Sequence, residues 1–162
     1  MTVAISPFDP ADGQGAVDLI LSIQRGEYGM AITAGDQPDL RAIPSFYQVG
    51  LGDFLVAKAG GQVVGTVALK DIGDGQAALR KMFVAPAFRG APHRTAQALL
   101  DRLIERASGR GVEQLFLGTT AHFLAAHRFY EKNSFGLVEA DALPPAFPRM
   151  AVDTRFYHRI VR

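Results

Sequence analysis

The stretch from Leu79 to Ile104 constrains this chain most: an apolar run ends at Val84-Ala85-Pro86, meets Arg89-Gly90 and leads into an amphipathic segment. In that segment Ala96, Leu99, Leu100, Leu103, Ile104 and Ala107 recur at helical spacing, so one face packs on a sheet and the helix stops near Gly109. A strand that turns through glycine into a helix presents N–H groups without intrahelical partners at the positive end of the helix dipole. Such a turn is suited to an anion such as a pyrophosphate.

The length of 162 residues, 48% of them hydrophobic, predicts one domain spanning 1–162 that fills a core without metal or disulfides. Cysteine is absent, which excludes disulfides, thiolate metal sites and a cysteine nucleophile. The first residues carry Asp9 and prolines where a signal peptide needs a basic start and an apolar run, and no other run is long enough to cross a bilayer. A cytoplasmic protein with no membrane partner is expected. A net charge of +1 gives no general attraction to nucleic acid, and the stripe Arg102, Arg106 and Arg110, interleaved with Asp101 and Glu105, reads as a solvated helix face. No metal is expected either: His122 and His127 are five apart, off the spacing that puts two ligands on one helical face.

Along the chain, Thr2 to Ser6 alternates as a strand, and Asp12 precedes a helical pattern through Val17, Ile20, Leu21 and Ile23 that fades at Gly26 and Gly29. Asp36-Gln37-Pro38 predicts the start of a second helix reaching about Tyr47. Phe54–Lys58 and Val63–Leu69 form a hairpin about Ala59-Gly60-Gly61, and after a turn at Asp71–Gly75, Ala78–Val84 completes a meander. Past the long helix comes a short buried strand at Gln114–Gly118. Thr119 or Thr120 then caps a helix carrying Phe123, Ala126, His127 and Tyr130 and ending near Asn133. Strands at Leu137–Asp141 and about Ala151–Arg159, joined by a loop with Pro144, Pro145 and Pro148, close the chain.

This order, with Val84-x-Pro86-x-x-Arg89-Gly90 before the long helix and Arg128-Phe129-Tyr130-Glu131-Lys132-Asn133-Ser134-Phe135 after it, resembles the GNAT N-acetyltransferase family over nearly the whole chain. Leu117-Gly118-Thr119-Thr120 and Val152-Asp153-Thr154-Arg155-Phe156-Tyr157 are similar to a bacterial subgroup of unknown acceptor. The resemblance implies an α/β (α+β) fold: a mixed, mostly antiparallel sheet of about seven strands with about four helices. It also implies acetyl-CoA as cosubstrate, without metal, held where the meander's last strand and the strand at Gln114 splay apart. Backbone groups of Met82, Phe83 and Val84 would bind pantetheine. The turn through Arg89, Gly90, Ala91, His93, Arg94, Thr95 and Ala96 would bind the phosphates, and Phe129 and Lys132 would also contact the cofactor.

Transfer of acyl from a thioester to an amine needs a neutral amine, stabilisation of an oxyanion and a proton for the departing thiolate. The resemblance gives the last role to Tyr130, a phenol protonated at neutral pH, and a backbone N–H, that of Phe83, is the expected oxyanion donor. Three features depart from the family pattern: the turn is two residues longer and includes Pro92, Phe123 stands where many members have asparagine, and residues 78–82 carry no carboxylate. The general base is therefore open between Glu27, Asp71 and a water chain. Glu27, Tyr28, Ile32, Asp36 and the loop Leu143–Met150 are expected around the acceptor, with Arg80 and Lys81 suited to a carboxylate on it. The expected activity is acetylation of a small-molecule amine. A non-catalytic acyl-CoA sensor is the alternative, and a triphosphate site is disfavoured because no Gly-Lys-Ser/Thr follows the turn. A monomer and a homodimer both fit, since an exposed final strand can pair with its twin or stay at the edge.

Overall fold

Seven strands form one sheet: β1 (Val3–Pro7), β2 (Asp53–Ala59), β3 (Gln62–Gly73), β4 (Gln76–Val84), β5 (Gln114–Thr119), β6 (Gly136–Val138) and β7 (Arg155–Ile160), in the order β1-β2-β3-β4-β5-β7-β6. All pairs are antiparallel except β4 with β5. The structure is a computed structural model that describes residues 2–121 and 123–161. Gly60 and Gly61 both take positive φ (56° and 82°), the two-residue turn whose twist matches a β-hairpin. A second tight turn, Asp74-Gly75, joins β3 to β4, so both strands run further than the sequence pattern indicated.

Four α-helices flank the sheet: α1 (Gly13–Leu21), α2 (Ile43–Phe46), α3 (Thr95–Gly109) and α4 (Leu124–Lys132). Alternate residues of β2 feed opposite faces. Leu55 and Ala57 pack with Leu99, Leu100 and Leu103 of α3 and with Tyr130, whereas Phe54 and Val56 pack with Ile20, Ile43 and Tyr47. With both faces covered, the strand reads as a continuous apolar run rather than an alternating one.

Several expected elements differ. The helix anticipated from Pro38 to Tyr47 is divided into a 3-10 turn at Pro38–Arg41 and the single helical turn of α2, because Pro44 interrupts it. The expected strand Leu137–Asp141 stops at Val138, and a 3-10 turn takes Ala140–Ala142. The strand expected from Ala151 begins only at Arg155. This last strand is not at an edge: β7 lies between β5 and β6, leaving β1 and β6 outermost. Nor is the α3 arginine stripe simply solvated. Arg106 pairs with the buried Asp53 carboxylate (2.7 Å), and Arg110 donates to the Gly50 and Gly52 carbonyls (2.8 Å each), fixing the entry to β2. Among the described residues no helix is long and apolar enough to cross a membrane.

Candidate active site

Strands β4 and β5 are paired only at Gln76↔Gln114, Ala77↔Leu115 and Ala78↔Phe116; beyond that they separate, while β5 stays paired with β7 along its whole length. The separation opens a cavity of about 660 Å3 lined by residues 79–83 on one wall, residues 117–120 on the other, and Tyr130 of α4. On the β3 side the register is Gly65↔Val84 and Thr66↔Phe83, and the Ala85 N–H donates to the Val64 carbonyl (2.8 Å). Antiparallel alternation then directs the Phe83 N–H and C=O toward Thr66 and the backbone groups of Val84 and Met82 toward the splay. The Val84 carbonyl indeed faces that way, accepting from Arg89 Nε (2.9 Å). By this register the Phe83 amide faces β3 rather than the cleft, at odds with the oxyanion role expected of it, and Met82 is the neighbouring residue on the cleft edge.

The turn after β4 is wound by Gly90 (φ +65°) and Arg94 (φ +48°), with the Arg94 N–H bonded to the Gly90 carbonyl (2.7 Å). The Ala98 N–H closes the first bond of α3 onto the Arg94 carbonyl (3.0 Å), which leaves the N–H groups of Thr95, Ala96 and Gln97 without intrahelical partners. The Thr95 hydroxyl is buried without a partner. The amides along the splay and these helix-end N–H groups fit a pantetheine arm followed by a diphosphate. Ala91 and Pro92 complete the turn, and His93 packs its ring on Phe88 (4.9 Å between centroids). Arg89 differs from expectation. Its guanidinium is bound by both oxygens of Glu27 (2.6 and 2.7 Å), which holds the Glu27 carboxyl below the usual carboxylate range and engages Glu27, one of the candidate bases, in an ion pair; the phosphate role expected of the turn belongs to its backbone N–H groups.

On α4, Tyr130 is buried with its ring against Phe135 and Tyr157, and burial pushes its phenol above the usual tyrosine value. Among the described residues no group hydrogen-bonds its hydroxyl, which is left to the cavity. Ser134 takes the left-handed conformation (φ +69°) that ends the helix and lets the Phe135 N–H return to the Tyr130 carbonyl (3.0 Å). Phe129 packs edge-on against Tyr130, while Lys132 is exposed at the last turn of α4, away from the cavity lining. Neither threonine caps this helix. Thr119 ends β5, and the buried Thr120 hydroxyl has no partner; the Thr120 carbonyl instead meets His127 Nε2 (2.7 Å). His122 lies outside the described residues.

A bulge in β4 builds the other end of the cavity. Thr66 faces Phe83 but Ala68 faces Arg80, so Lys81 and Met82 oppose Val67 alone, with Lys81 at φ +56° and the Thr66 hydroxyl bonded to its carbonyl (2.7 Å). Arg80 and Lys81, which would alternate in a regular strand, thereby both reach the residues between α1 and β2. Lys81 Nζ donates to Gln37 (2.7 Å) and lies 3.6 Å from Asp39; Arg80 donates to the Tyr47 hydroxyl (3.2 Å), which donates to Asp39 (2.5 Å). Gln24 and Gln37 exchange side-chain bonds behind them. Burial lowers the Lys81 pKa and Asp39 partly opposes it; burial also raises that of Tyr47. Of the other expected acceptor residues, Tyr28 lines the cavity and stacks on Phe123 (4.4 Å). Asp36 caps a turn through Thr33, Ile32 is absent from the cavity lining, and Asp71 accepts the Leu51 and Gly73 amides as a turn residue rather than a base.

Residues 18–135 match the family model described as Acetyltransferase (GNAT) family. The chain belongs to this family. An acetyltransferase of the GNAT family from Staphylococcus aureus Mu50 superposes with a TM-score of 0.93 at 32% identity, covering 99% of this chain and 100% of that one. An acetyltransferase from Streptococcus agalactiae gives 0.92 at 30% identity, with 99% of each chain covered. The N-acetylaspartate synthetase of Danio rerio is 37% identical over 123 residues, 74% of this chain and 43% of that protein. The chain thus spans about two fifths of the length of the curated relatives it matches.

The GNAT elements carried by backbone, the splay and the helix start, stand where the sequence placed them. The missed residues, Gln24, Gln37, Asp39, Tyr47 and Asp153, line or back the end of the cavity that holds Arg80 and Lys81. The local cues were Asp36-Gln37-Pro38 opening a turn and the Val152–Tyr157 stretch that holds Asp153, and the β4 bulge that unites Arg80 with Lys81 leaves no glycine to mark it.

Proposed function

We propose that this GNAT protein is an acetyl-CoA-dependent N-acetyltransferase acting on a small primary amine that carries a carboxylate. The observation that carries the reading is the splayed β4–β5 cleft, with an amide edge and the Tyr130 hydroxyl at one end and a cationic cluster at the other. Acetyl-CoA, when bound, supplies the thioester. The Met82 N–H, fixed by the strand, meets the developing oxyanion without reorganisation. Tyr130, kept protonated by burial, gives its proton to the departing thiolate sulfur. At the acceptor end Arg80 and Lys81 come from adjacent positions of β4, and their guanidinium and ammonium groups suit a carboxylate. The zebrafish relative is an N-acetylaspartate synthetase, and aspartate is an amine bearing two carboxylates.

Calorimetric titration with acetyl-CoA, followed by thiol release against amino acids, polyamines and aminoglycosides, tests the reading. Binding with release for carboxylate-bearing amines is expected, and Tyr130→Phe should lower kcat while leaving acetyl-CoA affinity in place. Binding without release for any amine would make the protein an acyl-CoA sensor. Release for polyamines alone would remove the carboxylate from the proposal.

A further inference from the structure

The two segments set apart as Leu117-Gly118-Thr119-Thr120 and Val152-Asp153-Thr154 meet in the cavity. A Cβ built on Gly118 would lie 2.6 Å from Asp153 Oδ2 and 2.8 Å from its Cγ, so the carboxylate rests directly on the β5 backbone in a space that only glycine leaves. The Thr154 N–H, bonded to the Thr119 carbonyl (3.0 Å), fixes the preceding residue there. Asp153 accepts one hydrogen bond, from the Met150 N–H at 3.2 Å, and forms no ion pair among the described residues. Arg80 Nη2 contacts Sδ of the same Met150 (3.7 Å), so a cation and an unpaired anion both line this end of the cavity. A group with one carboxylate and one ammonium, as in an amino acid, matches this arrangement.

Resting on the acetyltransferase reading above, we infer that Asp153 receives the acceptor's ammonium at the Gly118 gap and takes its proton, acting as the general base of the transfer. One proton of R–NH3+ passes to Asp153. The nitrogen lone pair then forms the C–N bond to the acetyl carbon as the C–S bond breaks; the nitrogen's second proton leaves with Asp153's to water, and the thiolate takes the Tyr130 proton, which water restores. The net change is R–NH3+ and acyl thioester to amide, thiol and one proton. Burial supports the role by raising the Asp153 pKa above the usual carboxylate value, opposed in part by Arg80 of β4 and by Arg149 of its own loop. The other titratable groups facing the cavity are Lys81 of β4, Tyr130 of α4 and Tyr28.

Asp153→Asn keeps the shape and the acceptor oxygen for Met150 and removes the base. Expected for this variant is a fall in kcat of about a hundredfold at pH 7 with acetyl-CoA affinity unchanged, the deficit shrinking by about tenfold per pH unit as the free amine replaces the lost base. Because the ionised carboxylate is disfavoured by burial, its contribution to stability is lost as pH rises through the raised pKa, and Asp153→Asn is expected to melt no lower than wild type at pH 8. Carboxyl 13C NMR of the unliganded protein, with the resonance assigned by the variant, should show Asp153 titrating above ordinary aspartates. A variant with wild-type kcat and pH profile overturns the inference, as does a rise in KM alone, which would leave Asp153 as an ammonium contact. If wild type binds acetyl-CoA but releases no thiol with any amine, the reading of function fails and the base falls with it.

Discussion

The two ends of the cleft are made of different material. The donor end is strand edge and helix start: Met82 and Val84 offer backbone groups, α3 offers N–H groups, and side chains mostly point into the core. The acceptor end is side chains on irregular chain, with Gln24, Gln37, Asp39 and Tyr47 coming from short turns between α1 and β2, and Asp153 from the loop before β7. A ligand common to a whole family can be bound by what every strand possesses, whereas a particular acceptor has to be read by groups that vary. Side-chain replacements should therefore act strongly on the acceptor and weakly on the donor.

The largest effect is expected at Tyr47, whose hydroxyl links Asp39 to Arg80 within a buried network. Tyr47→Phe leaves the Asp39 carboxylate short of one bond and should cost about 1 to 3 kcal/mol of stability. Denaturant titration reads that cost, and kinetics should show a raised KM for the amine with the acetyl-CoA dissociation constant unmoved. Equal losses for both substrates would mean that the two ends are not separable. At Thr95 the sign reverses. Its buried hydroxyl has no partner, so Thr95→Val removes an unsatisfied group and should raise stability by about 1 kcal/mol without weakening acetyl-CoA. An affinity loss of tenfold or more would make that hydroxyl a phosphate contact and give the donor end a side-chain determinant.

The same division explains what could be read from the sequence. Periodicity at Leu99, Leu100 and Leu103 and the glycines at 60, 61 and 90 report on backbone, so the sheet, α3 and the turn that leads into it were legible. The placing of Tyr130 on the helix after β5 was legible through its neighbours Glu131 to Phe135. The acceptor end was not, because its contacts join residues far apart in the chain, Lys81 to Asp39 and Asp153 to Gly118, through turns too short to have a period. The facing of the Phe83 amide was hidden for a related reason: which edge an amide faces depends on register with β3, which one strand alone does not encode. Arg106 and Arg110, read as solvated, are held by Asp53 and by carbonyls of the β2 entry, a long-range pairing that charge pattern along one helix cannot show.

The smallest expected effect tests a contact between the irregular segment after α1 and the turn before α3. Glu27 closes the irregular segment onto Arg89 of the phosphate turn, with both side chains more than a third exposed (38% and 39%). Exposure and salt hold such a pair to less than about 1 kcal/mol. Arg89 lowers the Glu27 pKa, so the contribution is complete above the ordinary glutamate value of 4.5 and disappears as pH falls through the lowered one. Glu27→Gln should accordingly lose a fraction of a kcal/mol at pH 7, and the difference from wild type should vanish in acid. Acetyl-CoA affinity at pH 7 should change by less than about fivefold, the equivalent of about 1 kcal/mol. A larger gain would show Arg89 moving to a phosphate once released, and a larger loss would show that cofactor binding needs the acceptor segment closed; either outcome would join the two ends that the static contacts keep apart.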